Sequence, residues 1–259
     1  MTREELQHII DSAPYNFLRT NSHLGKHMMF LTIGGSHAYG TNVEGSDVDI
    51  RGVALNSRED LLGLGEFEHH VDTQTDTTIY SFNKAVKLLC SGNPNMLEQL
   101  GNADELVISY NPMTQLLMAN KTLFLSKDAI KPFCGFVNDL LNKSGRLYVD
   151  IQGGRYGEDE IEKARKKLNK QAMNATRLYL MALDLFEKGE IITHRGNDIV
   201  LLQRFRLGEY DYAEWRAYAV SLFEATMKYS CENSVLPDHV NMKLVNELVM
   251  TINEAALKV

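Results

Sequence analysis

The sequence predicts an α+β protein, with a small sheet and flanking helices over residues 1–108 and an all-helical region over residues 109–259. Strand-like apolar or alternating runs occur at 28–33, 47–55 and 75–82, and none is evident beyond about residue 105. From there on, segments with helical periodicity or helix-terminal signals follow one another. Between the first two strands lies a Gly-Gly-Ser bend, and the second strand carries Asp47 and Asp49 two residues apart.

Taken in order, residues 3–12 form a short helix with Leu6, Ile9 and Ile10 as its apolar face, ended by Pro14. Met28 to Ile33 is the first strand. It breaks at Gly34-Gly35, and Ser36-His37-Ala38-Tyr39 opens a short helix whose free N–H groups and serine hydroxyl suit an anion, with helix capping as the alternative for Ser36. The second strand, Asp47 to Leu55, puts Asp47, Asp49 and Arg51 on one face, with Val48 and Ile50 turned into a core. Two carboxylates held side by side repel unless a cation sits between them, and a divalent metal is the usual solution. Ser57 to Leu64 makes a helical turn, and His69, His70 and Asp72 read as a solvated loop or strand end. Thr75 to Phe82 is the third strand, with Asp76, Thr78 and Tyr80 sharing a face. A helix over 83–89 follows, then another with Asn93 as cap and Pro94 at its first position, on which Asn95 and Glu98 share a face.

The helices beyond are read at 112–119, 129–143, 158–188, 211–229 and 238–257, with Asp211 and Glu214 as a capping box and Gly189 as a stop. In the longest, Ile161, Ala164, Leu168, Ala172, Ala175, Tyr179 and Ala182 form the buried stripe, and Lys170, Asn174 and Arg177 form a separate polar one. Arg204 and Arg206 are further candidates for phosphate or acceptor contacts.

Composition narrows the function classes. A net charge of −7 argues against a general nucleic-acid coat, though not against a local basic groove. Three dispersed cysteines support neither a disulfide framework nor a zinc site. The N-terminal MTREELQHII lacks the apolar core of a signal peptide, and no apolar run is long enough to span a bilayer, so a cytoplasmic location without membrane partners is expected.

A bare D-x-D turns up by chance about once in a chain of this size, so the signal lies in the combination: Gly35-Ser36, ten residues, then Asp47-x-Asp49. An EF-hand loop fails because Arg51 and Arg58 fall at its fifth and twelfth places. A P-loop fails because Thr41 stands where the phosphate-binding lysine is needed.

GGSHAYGTNVEGSDVDIRGV resembles the signature of the polymerase-beta-like nucleotidyltransferase superfamily, and G-S-x-A-Y-G with S-D-x-D-x-R-G resembles its uncharacterised bacterial and phage group. SGNPNMLEQL is similar to a second motif of that group, which implies that Asn95 and Glu98 line the site. The resemblance implies a small mixed sheet as a catalytic domain over 1–108, followed by a helical domain over 109–259. It implies two Mg2+ ions on Asp47, Asp49 and a third carboxylate, for which Asp76 is the candidate and Asp72 the reserve. Gly35, Ser36, Tyr39, Gly40, Ser46 and Arg51 would contact a nucleoside triphosphate, ATP ahead of the others. Lys170, Asn174 and Arg177 would close over the triphosphate, with Asn174 where a His is expected. The implied reaction moves a nucleoside monophosphate to an acceptor hydroxyl on RNA, protein or a small molecule and releases pyrophosphate. The alternative is a catalytically degenerate, nucleotide-binding regulatory module.

Overall fold

The computed structural model describes residues 1–258. In chain order its helices and strands are α1 (Arg3–Asp11), α2 (Phe17–Thr20), β1 (Met28–Ile33), α3 (Gly35–Tyr39), β2 (Ile50–Ala54), α4 (Arg58–Leu62), β3 (His69–Asp72), β4 (Thr77–Ser81), α5 (Phe82–Cys90), α6 (Pro94–Leu100) and β5 (Val107–Ser109). Then come α7 (Met113–Ala119), α8 (Ile130–Gln152), α9 (Glu158–Lys188), α10 (Ile199–Leu207), α11 (Tyr212–Glu232) and α12 (Met242–Ala256).

The sheet is mixed, in the order β3-β4-β2-β1-β5. β1 lies antiparallel to β2 and β5, β3 antiparallel to β4, and only the β2–β4 pair is parallel. The predicted α+β architecture is thus present, with the helical region following the sheet. All six residues of β1 are buried, because apolar layers cover both faces of this strand. On one side Leu31, Ile33, Ile50 and Ile79 pack with Leu6 and Ile10 of α1. On the other, Met29, Phe30, Val53 and Phe82 join a larger cluster that runs through α8 and α9 to α11 and α12.

Several elements differ from the sequence reading. β2 starts at Ile50, so Asp47 and Asp49 precede it, although the Gly34 N–H still donates to the Asp49 carbonyl at 2.8 Å and extends the pairing by one step. His69 and His70 lie in an edge strand, with His70 against the Phe17 ring at 5.1 Å. β5 and α10 are additional; β5 is a strand beyond the point where strand signals fade. α8 runs on to Gln152. α9 has the expected bounds, and its alanine-rich stripe is buried, with Ile161 and Tyr179 packed at its margin. Gly189 ends it in the left-handed conformation, and Asp211 accepts the Glu214 N–H at 2.8 Å. The cysteines are free thiols. No helix among the described residues is long and apolar enough to cross a membrane.

Candidate active site

The site begins where β1 runs out. Gly35 has φ +61, and a Cβ there would lie 1.6 Å from Oδ2 of Asp49, so this position demands both the left-handed conformation and a missing side chain. The bend therefore brings the start of α3 directly against the Asp49 carboxylate. Ser36 is the second residue of α3 and makes no side-chain cap, so the capping alternative for its hydroxyl does not apply.

Asp76, just before β4, is the only non-glycine residue with positive φ among the described residues, at +44. The turn is held by Arg51, which donates to the Asp76 carbonyl and carboxylate, the latter at 3.2 Å, and lies 3.9 Å from Asp49 Oδ1. Burial, then the hydrogen bond to Asp76, push Asp49 up to about 6, against the opposing pull of Arg51 and Lys170. Asp76 moves the other way, chiefly because Asp49 donates to it. Asp72 is spent in its own turn, accepting from the Thr75 N–H and hydroxyl, each at 2.8 Å.

These groups open into a cavity of about 630 Å³ between the sheet and the helical region. Of the residues expected at the site, Gly35, Ser36, Tyr39, Ser46, Arg51, the three aspartates, Lys170, Asn174 and Arg177 all line it. Gly40 does not: it ends α3 at φ +76, and a Cβ there would meet His194 at 2.6 Å, so it admits the chain after α9. Ser46 lines the wall, but its hydroxyl accepts the Val43 N–H at 2.9 Å and closes the preceding turn.

The polar stripe of α9 divides. Lys170 is exposed and Asn174 half-buried. Arg177 is 3% exposed, donates to Glu98 of α6 at 3.0 Å, and stacks on the Tyr39 ring at 3.6 Å. Burial pushes the Tyr39 phenol well up, and the Glu98 charge adds to it. Arg177 therefore joins α9, α6 and α3 from within the wall. Phe136, Asp139, Leu140 and Lys143 of α8, Thr193 and Arg206 also face the cavity. Of these only Arg206 was singled out by sequence. The i, i+3, i+4, i+7 spacing on α8 was visible, but which helix would cover the sheet was not.

Among the described residues no group of three or more His, Cys, Asp or Glu side chains encloses a metal by itself. The aspartates are hard oxygen donors without nitrogen or sulfur among them. That set fits magnesium, which takes one or two carboxylates and completes its shell with substrate phosphate and water.

The resemblance carried by the Gly-Ser and D-x-D signature holds, and the chain is a member of the polymerase-beta-like nucleotidyltransferase superfamily. More narrowly, it belongs to the RNA repair pathway DNA polymerase beta family (RlaP), which its residues 3–191 match. It is also similar to an uncharacterized 38.9 kDa protein of the nrdC-mobD intergenic region of Enterobacteria phage T4, at 27% identity over 198 residues. That alignment covers 70% of this chain and 53% of the phage protein, so the chain spans about half the length of this relative.

Proposed function

We propose that the protein is a magnesium-dependent nucleotidyltransferase that moves a nucleoside monophosphate from a triphosphate to an acceptor hydroxyl on RNA. The observation that carries this reading is the cavity in which Gly35 and Ser36 face Asp47, Asp49 and Asp76. The RNA acceptor is favoured by the repair pathway in the family's description. Residues 1–108 would supply the phosphate and metal groups, and 109–259 the covering wall with Lys170 and Asn174.

In the reaction the acceptor oxygen forms a bond to the α-phosphorus, the bond from that phosphorus to the α–β bridging oxygen breaks, and pyrophosphate leaves. Magnesium held by Asp47, Asp49 and Asp76 would neutralise phosphate charge and make the acceptor hydroxyl more acidic. Gly35 and Ser36 hold the outer phosphates through backbone N–H groups and the free hydroxyl. Lys170 reaches the same space and adds positive charge there. Arg177, tied to Glu98 and Tyr39, keeps α3 in register with α9. The acceptor proton passes to water.

The test is transfer of label from α-phosphate-labelled ATP, CTP, GTP and UTP to RNA with magnesium, comparing wild type with Asp47→Asn. Label on RNA with wild type, reduced by about 10²-fold or more in the variant, is expected. Magnesium-dependent nucleotide binding without transfer of any label would replace this reading with the regulatory module.

A further inference from the structure

We infer that the first half of α9 is a docking surface for the phosphate backbone of a single-stranded RNA acceptor, which it guides to the cavity. This rests on the transferase reading and specifies how the acceptor is held.

Residues 163–170, KARKKLNK, contain five Lys or Arg and no Asp or Glu, in a chain whose net charge is −7. At about 100° per residue, Lys163, Lys167 and Lys170 fall on one line, which continues through Asn174. Lys170 and Asn174 line the cavity. Lys163 and Lys167 are therefore the outward continuation of the cavity wall along the same helix face, and both are exposed. The distance from Lys163 to Asn174 is about 16 Å along the axis, enough for several nucleotides of strand.

A run of lysines is ordinarily a solvated face with its charges balanced locally. Here Lys166, beside the line, is balanced by Glu162 at 2.7 Å. Among the described residues Lys163 and Lys167 have no ion-pair partner, and Lys170, also outside any ion pair, acts across the cavity on Asp49 and Asp76. A further cation flanks the line from α10: Arg206 lines the cavity, and the end of α10 is held beside Lys170 by Tyr210, whose hydroxyl donates to Asn169 at 3.4 Å. Exposed, unpaired lysines on a helix face that leads into a cavity of an acidic protein attract a polyanion. The recess of about 630 Å³ has room for a nucleotide and a chain end, not for the cross-section of a duplex. Phe136 of α8, half-buried in the cavity wall, offers a ring to the terminal base.

The test is binding of a fluorescent twelve-nucleotide single-stranded RNA to the whole protein across a salt series, without nucleotide. The variants are Lys163→Gln/Lys167→Gln and a charge-matched control, Arg165→Gln/Lys131→Gln. Arg165 lies about 160–200° around α9 from the line. The lysine pair variant is expected to bind on the order of tenfold more weakly at 0.1 M salt, with a slope of log affinity against log salt shallower by about 1.4. The control should stay within about twofold of wild type, and both variants should bind magnesium and ATP as wild type does. Equal losses in the two variants, unchanged affinity in the lysine pair variant, or displacement of the RNA by polyglutamate at equal charge would each overturn the inference. Two further results separate it from the reading on which it rests. Lysine-dependent RNA binding with no transfer of nucleotide would sink the transferase reading and leave the surface standing. Transfer onto RNA with an unchanged KM for RNA in the lysine pair variant would do the reverse.

Discussion

At the scale of single residues, the site depends on what is missing at position 35. Gly35 adopts φ +61 with Asp49 Oδ2 where a β-carbon would be, so Gly35→Ala meets two costs. The left-handed conformation disfavours alanine by about 1 kcal/mol, and the collision forces Asp49 or the bend to move. The variant is expected to lose about 1–3 kcal/mol of stability, read as a lower melting temperature, and most of its magnesium-dependent affinity for ATP. Wild-type ATP affinity in a folded Gly35→Ala protein would mean that the bend and Asp49 need not touch for the nucleotide to bind. That Gly35, Ser36, Asp47 and Asp49 come together in one cavity was legible in sequence because they lie within fifteen residues of one another. Asp76 was legible as a residue but not as a conformation: a left-handed aspartate held by Arg51 from the neighbouring strand has no local signature. The pairing of Arg177 was equally hidden, since Glu98 and Tyr39 come from distant parts of the chain.

At the scale of elements, α3, α6 and α9 meet at the Arg177–Glu98 pair, whose side chains are only 4% and 8% exposed. A buried pair of this kind adds little over an apolar replacement, but removing one partner strands the other charge. Glu98→Ala is therefore expected to cost about 3–5 kcal/mol. Adding Arg177→Met should recover much of that stability in thermal melts, because the uncompensated charge is gone. A double variant no more stable than Glu98→Ala would show that Arg177 is not the group Glu98 neutralises. The sequence marked both helices correctly, and α9 to the residue, because a 31-residue amphipathic pattern between an acidic first turn and a glycine stop leaves little freedom. It failed on elements without such a pattern. β5 has three residues, too few to alternate, and is a strand only because β1 offers it an edge. β3, HHVD, is a polar edge strand fixed by β4. α10, IVLLQRFRL, is apolar nearly all round, so its helical period is masked.

At the scale of the whole molecule, the apolar core does not stop where the strands do. Phe30 and Val53 of the sheet belong to the same buried cluster as Phe133 and Phe186, and as Trp215 in α11. The cavity lies over this shared core, so its two walls keep their spacing only while sheet and helices stay packed together. Such packing predicts one cooperative transition, and Trp215, the only tryptophan, can report on it. Phe30 is fully buried in β1, far in sequence from that tryptophan. Phe30→Ala should cost about 3–5 kcal/mol, on the order of 10 °C in melting temperature for a chain of this size. If the core is one unit, the Trp215 fluorescence midpoint and the far-UV circular dichroism midpoint fall together by that amount. A Trp215 midpoint unchanged by Phe30→Ala would mean that the helical region melts independently of the sheet. The cavity would then lie between two separately stable bodies, and nucleotide binding would have to hold them together instead of entering a site already formed.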